Sequence, residues 1–184
     1  MYYGEKVKLR AHKKEDIYKI YEFLNDAELK NVFDTVIAFP MTLEQIEEEY
    51  NEDTIEKDGK YSFAIEHIET KKYIGSCMIT EVNFVARVAK VGIIIGDREF
   101  LGKGLGTDAM KVLIRFIFEQ MNMNKVKLEV FSHNVRAFKS YEKCGFKVEG
   151  VLREEGYKNG KYIDLVLMSI LRREWENKFV YHKS

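Results

Sequence analysis

One segment limits the fold more than any other. The run Val91-Gly92-Ile93-Ile94-Ile95 is followed by Leu101-Gly102-Lys103-Gly104-Leu105-Gly106-Thr107, and then by a stripe of Met110, Leu113, Ile117 and Met121 with Phe116 beside it. A continuous apolar run suits a central strand covered on both faces, and the stripe suits a helix packed on it, beginning near Asp108. Strand, glycine loop and helix together form a building unit of α/β folds. The glycines let the backbone turn tightly and expose bare amides to a ligand. The helix start adds unpaired N–H groups and a positive dipole end. The result is a phosphate cradle, to which Lys103 adds a point charge. Two nucleotide signatures fail here. A Walker loop needs Gly, four residues, then Gly-Lys-Ser/Thr, but Asp97 stands at the first glycine position and Gly104 follows Lys103. The dinucleotide pattern G-x-G-x-x-G fails because Thr107 is the sixth residue counted from Gly102. On this segment alone, a tight turn without a ligand stays open.

The rest of the chain supplies the partners of that unit. Val7 to Arg10 alternates apolar and basic residues and reads as a short strand. Ile17, Ile20, Tyr21 and Leu24 form a helical stripe ended by Asn25-Asp26. Thr42 and Gln45 form a capping box for a helix running to about Lys57. That helix is acidic: Glu44, Glu47, Glu48, Glu49, Glu52, Asp53, Glu56 and Asp58 stand against Lys57 and Lys60. It is either a solvated helix face or a surface that attracts a cationic substrate. Strands at Tyr61 to Ile65 and Tyr73 to Ile79 flank the polar Glu69-Thr70-Lys71-Lys72, a hairpin pattern, and a third strand spans about Ala86 to Ile95. After a strand from Lys125 to Phe131, a helix from Val135 to Lys143 stops at Gly145. Asn159-Gly160 joins Gly150–Lys158 to Lys161–Leu171 as a tight hairpin. The order predicts an α/β fold: a single domain over residues 1–184, with a mixed central sheet of about six to seven strands flanked by helices.

Composition removes several function classes. The 30 basic and 30 acidic residues cancel, which argues against a nucleic-acid partner. The N-terminus lacks an apolar signal core, and no run of about 18 apolar residues exists, so no membrane partner is expected. Cys77 and Cys144 form no CxxC pair and read as two buried thiols in a reducing compartment. A soluble, cytoplasmic protein is the expectation.

A second motif gives the glycine loop its meaning. Asn134-Val135-Arg136-Ala137-Phe138-Lys139-Ser140-Tyr141-Glu142-Lys143-Cys144-Gly145-Phe146 contains N-x-x-A-x-x-x-Y-x-x-x-G-F. With the upstream strand, loop and helix, it resembles the GNAT superfamily of N-acetyltransferases over essentially the whole chain. The resemblance implies acetyl-CoA as co-substrate and no metal. It implies that the amides of Leu101, Gly102, Lys103, Gly104, Leu105, Gly106 and Thr107 hold the pyrophosphate. It also implies that Ile93, Ile94 and Ile95 line the pantetheine arm, which Asn134 contacts, that Ala137 and Lys139 belong to the same site, and that Tyr141 protonates the departing thiolate. The family often opens the loop with Gln or Arg where this chain has Leu101. Backbone amides do the binding, so the substitution costs little.

Acetyl transfer needs a neutral amine, a stabilised oxyanion and a protonated leaving group. A primary amine is neutral only about 0.04% of the time at pH 7, a handicap of roughly 4.6 kcal/mol. A carboxylate or water chain near the amine is therefore expected. Relatives carry Glu on the central strand in a pattern like Ala-Glu-Ile-Gly, whereas this chain reads Ala89-Lys90-Val91-Gly92. Glu81, in Glu81-Val82-Asn83-Phe84, is the substitute base; the alternative is an ordinary surface strand residue. The opening Gly4 to Arg10, the stretch Lys143 to Gly150, and Tyr157 to Asp164 resemble the RimJ/RimL and bacterial spermidine acetyltransferase branch. Members of that branch that act on ribosomal-protein N-termini often lack a tyrosine at the position of Tyr141, so its presence implies a small-molecule amine acceptor such as a polyamine, which the acidic segment Glu44 to Asp58 also favours. Nucleotide-linked amino sugars, protein N-termini and a non-catalytic acetyl-CoA-binding role stay open, as does a homo-oligomer.

Overall fold

The structure, a computed structural model, describes residues 1–33, 39–53 and 60–180, without the side chains of 32, 33, 51–53, 179 and 180. The acidic residues Glu56 and Asp58, Lys57, and the side chains of Glu52 and Asp53 therefore lie outside the described residues.

The strands are β1 (Tyr2–Tyr3), β2 (Val7–Arg10), β3 (Tyr61–His67), β4 (Tyr73–Asn83), β5 (Val88–Ile95), β6 (Lys125–Phe131), β7 (Lys147–Lys158) and β8 (Lys161–Leu171). The principal helices are α1 (Ile17–Leu24), α2 (Ala27–Phe33), α3 (Leu43–Asp53), α4 (Leu105–Glu119) and α5 (Val135–Cys144). Among the described residues the strands form one eight-stranded sheet in the order β1-β2-β3-β4-β5-β6-β8-β7. Seven match the sequence pattern. The eighth, β1, has two residues and so no period to read. It is held at the edge by pairing with β2 and by Tyr2 packing edge-on to Phe63 and Phe116.

Strand alternation sends Val7, Leu9, Ile65, Ala89, Val91 and Val126 to one face, where they form the main core with Leu105, Ala109, Met110, Leu113, Ile114 and Ile117 of α4. The opposite face carries Ala64, Tyr73 and Ile94 under Phe23 of α1 and Leu29 of α2. In α1 the buried residues are Ile17 and Phe23, while Tyr21 of the expected stripe is exposed. α3 opens with the reciprocal capping box: Thr42 N–H donates to Gln45 Oε1 (2.8 Å) and Gln45 N–H to Thr42 Oγ1 (3.3 Å). At the β7–β8 turn Asn159 (φ 49°) and Gly160 (φ 79°) both have positive φ, as the tightest hairpin turns require. α4 begins at Leu105, earlier than its apolar stripe suggests. Gly104, at φ 80°, turns the chain as N-cap and leaves Gly106 inside the first turn.

The feature that makes a site is a break in the sheet. All strand pairs are antiparallel except β5–β6, which are parallel because α4 carries the chain back between them. Their ladder lasts from Val88↔Lys125 to Lys90↔Lys127 and then stops. β5 nevertheless stays paired with β4 as far as Ile95, and β6 with β8 as far as Phe131. The two central strands therefore splay apart over residues 91–95 and 128–131.

Candidate active site

The splay opens a cleft of about 690 Å³. Its floor is the pair of strand edges that have parted, whose inward N–H and C=O groups lack ladder partners. An extended, amide-bearing molecule satisfies such edges as an added strand would. Ile93, Ile94 and Ile95 line it on one side, Glu129, Val130 and Phe131 on the other.

One end of the cleft is the glycine loop. Leu101, Gly102, Gly104, Leu105, Gly106 and Thr107 line it; Lys103 does not, and its ammonium lies 5.5 Å from the centre of the Phe100 ring. Gly102 (φ 75°) and Gly104 (φ 80°) adopt left-handed conformations that L residues rarely take. A Cβ on Gly102 would meet no atom within 4 Å, so the space beside the loop is open to a ligand. The first residues of α4, Leu105, Gly106 and Thr107, line the cleft, and their N–H groups have no carbonyl one turn behind them. Asp108, in this turn, accepts from the backbone N–H groups of Glu5, Lys6 and Val7 (3.1, 2.7 and 3.0 Å). That clamp brings Lys6 to the loop, where its Nζ donates to Lys103 O at 3.2 Å. Arg136, Lys139 and Lys143 line the same cleft from α5. The cradle thus combines amides, a helix start and several cations, a donor set suited to a pyrophosphate.

α5 holds the second motif against the cleft. Asn134 is its N-cap: Oδ1 accepts from Ala137 N–H at 3.1 Å. Asn134, Ala137, Lys139 and Tyr141 all line the cleft. Thr107 Oγ1 and Ser140 Oγ, 2.7 Å apart, tie α5 to α4. Tyr141 is 8% exposed and lies edge-on to Phe146. Burial, with Cys144 nearby, pushes its phenol up to about 12, so it stays protonated at neutral pH.

The acceptor side differs from the sequence expectation. Glu81 is not among the residues lining the cleft. A register shift between Ile79 and Glu81 sets it opposite Lys90, where β5 and β6 are still paired, and its carboxylate lies 3.8 Å from Lys127 Nζ with the side chain 60% exposed. The carboxylate that reaches the splay is Glu129, which lines the cleft and accepts from Lys90 Nζ at 2.7 Å. Nothing local in the sequence marks Glu129, because the β5–β6 register is what brings it beside Lys90. Lys6 carried no local signal either, since 97 residues separate it from Lys103.

A side pocket of about 230 Å³ adjoins the cleft and shares Met78 and Ile94 with it. Ile20, Phe23, Leu24 and Ile46 wall it, and Glu49 stands at its exposed side. Among the described residues there is no cluster of three or more metal-ligating side chains, and no helix is long and apolar enough to cross a membrane.

Comparisons with known proteins agree with this geometry. The family model of the acetyltransferase (GNAT) domain matches residues 6–147. A spermidine N(1)-acetyltransferase of Vibrio cholerae is 32% identical over 171 residues, 92% of this chain and 95% of that protein. The Escherichia coli enzyme of the same name is 30% identical over 92% of this chain and 88% of its own length. The crystal structure of the spermidine N-acetyltransferase from Vibrio cholerae in complex with CoA and spermine superposes with a TM-score of 0.84 at 29% identity, covering 92% of this chain and 98% of that one. A cleft between parted central strands, closed by a glycine loop and the Asn134–Tyr141 helix, therefore belongs to an acetyl-CoA-dependent N-acetyltransferase, and the chain is a member of the GNAT family, in its spermidine acetyltransferase-like branch.

Proposed function

We propose that the amine acetylated by this enzyme is one end of an aliphatic polyamine. The observation that carries this reading is a pair of adjoining hollows on the helix-α1 face of the sheet: the splay cleft and the side pocket share Met78 and Ile94, and each has a carboxylate among its lining residues, Glu129 (paired with Lys90) in the cleft and Glu49 at the pocket. Methylenes with a cation at either end match that pattern of surface and charge. The likeness to spermidine N(1)-acetyltransferases supports it further.

The bound co-substrate supplies a thioester carbon for attack and a thiolate to leave. The protein's part is to hold, orient and move protons. Loop amides and the cations Lys6, Arg136, Lys139 and Lys143 fix the phosphate end. A strand N–H within residues 91–95 meets the carbonyl oxygen as charge builds on it. Tyr141 donates a hydrogen bond to the sulfur. With its phenol up at about 12 and a thiol near 8.5, full transfer from tyrosine is uphill, so the hydroxyl stabilises the thiolate while protons equilibrate with water. We assign the proton-accepting position to Glu129 rather than Glu81, whose carboxylate is turned to Lys127 and mostly in solvent. Glu129 receives the incoming ammonium and passes its proton outward through water.

A thiol-release assay with acetyl-CoA against spermidine, spermine, amino sugars, a nucleotide-linked amino sugar and N-terminal peptides tests the reading. Polyamines are expected to give the highest kcat/KM, falling with added salt. Turnover confined to peptides or to the anionic sugar overturns it.

A further inference from the structure

The side pocket holds more than an apolar wall. Phe23, Tyr50, Tyr73 and His12 all line it. The rings lock together: Phe23 stacks with Tyr73 at 6.0 Å between centres, and His12 meets Tyr50 edge-on at 5.5 Å and Tyr73 at 6.1 Å. Polar anchors hold two of them, because His12 Nε2 lies 2.9 Å from Ser62 Oγ and Tyr73 Oη 2.7 Å from Ser76 Oγ. Glu49 is the carboxylate beside this group. From these contacts we propose that the pocket is an aromatic cage for a cation, and that it takes the far ammonium of the acceptor while the near amine is acetylated at the splay. The proposal rests on the polyamine reading and adds to it a second recognition point and a length rule.

Aromatic faces attract alkylammonium groups through their quadrupoles, most strongly where water is excluded, and a carboxylate at the rim adds to the attraction. The fourth ring fits only if it is uncharged. Burial pushes His12 down to about 4, and its Nδ1 is buried with no hydrogen-bond partner, so the imidazole is neutral at physiological pH and does not repel a cation.

The span follows from the register. Gly92 of β5 lies opposite Met78 of β4, which lies opposite Ser62 of β3. The β5–β6 gap and the pocket over β3 and β4 are thus about two strand spacings apart, roughly 10 Å. An extended chain advances about 1.2 Å per bond, so about eight bonds bridge the two points. Spermidine, with roughly nine bonds between its end nitrogens, reaches, whereas diaminobutane, with roughly five, does not.

The test compares diamines with monoamines of equal length. In the parent enzyme, kcat/KM for diaminooctane should exceed that for octylamine by about tenfold or more, while diaminobutane gains little over butylamine. Tyr50→Leu removes one ring face and should cut the diaminooctane-to-octylamine ratio about tenfold, equivalent to about 1.4 kcal/mol. Tyr50→Phe restores the ring and should restore the ratio. Glu49→Gln, at an exposed helix position, should lower the ratio severalfold and make it less sensitive to salt. Thermal melting and CoA calorimetry report whether each variant is folded. If spermidine is acetylated but the ratio is the same in Tyr50→Leu and Glu49→Gln as in the parent, the cage is refuted and polyamine acetylation stands. If no amine of the series is acetylated while another acceptor class is, the polyamine reading falls and the cage falls with it.

Discussion

Replacing Gly104 separates what the glycine loop does for the fold from what it does for the ligand. Gly104 sits at φ 80°, and a Cβ there would find only Lys6 Nζ, 3.9 Å away. Gly104→Ala therefore meets no steric block and incurs only left-handed strain, about 1–2 kcal/mol. That strain is present with and without CoA. It should lower Tm by a few degrees, at about 2–4 °C per kcal/mol for a chain of this size, and leave the CoA Kd within about threefold. Gly104→Asp carries similar strain, somewhat relieved because Asp tolerates this conformation. It also sets a carboxylate beside the phosphates and draws Lys6 to itself. One charge about 5 Å from another at an effective dielectric of 20 is worth about 3 kcal/mol. With solvent screening and the competing pull of Lys6, about half of that should survive as lost affinity, at least tenfold in Kd. The charge component should shrink with salt, as the Debye length falls from about 10 Å at 0.1 M to about 3 Å at 1 M. Isothermal calorimetry with CoA on both variants, at two salt concentrations, reads all of this. A folded Gly104→Asp protein that binds CoA like the parent would show that the pyrophosphate does not lie on the loop.

Three further outcomes are expected. Tyr141→Phe keeps the ring packed against Phe146 and removes the hydroxyl, so kcat should fall about a hundredfold with CoA affinity nearly unchanged; stopped-flow thiol release at saturating substrates measures it, and parent-like turnover removes tyrosine from the chemistry. Glu129→Gln should lower kcat for a polyamine at pH 7 by at least tenfold, with the deficit narrowing toward pH 10 as solution supplies neutral amine, whereas Glu81→Gln should change kcat less than threefold; the reverse ranking in a pH–rate series returns the role to Glu81. Stability should fall in acid through the buried cluster in which Arg10 bonds Asp16 and Glu66, with Lys8 on Glu66. Burial pushes both carboxyl groups up, but the hydrogen bonds and charges of Arg10, joined by Lys13 N–H at Asp16 and Lys8 at Glu66, outweigh it and hold them below their ordinary values. Their contribution is thus full above about pH 4.5 and is lost as pH drops through the lowered folded values. Glu66→Gln should cost about 3–5 kcal/mol at pH 7, read by urea unfolding, and should flatten that acid limb; an unchanged acid limb would refute the assignment.

Much of the molecule could be read in one dimension because its signals are local. The run Val91–Ile95, the glycines after it, the Thr42–Gln45 box, the Gly145 stop and the Asn159-Gly160 turn each act within a few residues, and each has its structural counterpart, with α4 opening at Leu105 rather than near Asp108. The motif from Asn134 to Gly145 likewise spans one helix, so its spacing sets which residues face the cleft. What lay out of reach depends on which strands meet and where they part. β1 is too short to show a period and is held by β2, by the rings of Phe63 and Phe116 and by Arg115, whose guanidinium donates to Tyr3 O. Lys6 joins the loop because Asp108 captures the amides around it from another element. The sequence points to Glu81 as the base, and nothing local marks Glu129. The bulge after Ile79 and the end of the β5–β6 ladder at Lys127 decide that Glu129 enters the cleft and Glu81 stays at the sheet surface. Local sequence determines elements because their energetics are those of neighbouring residues. The carboxylate at the splay and the cluster of rings in the side pocket were decided by tertiary structure, because register and layer packing bring together groups that no sequence separation announces.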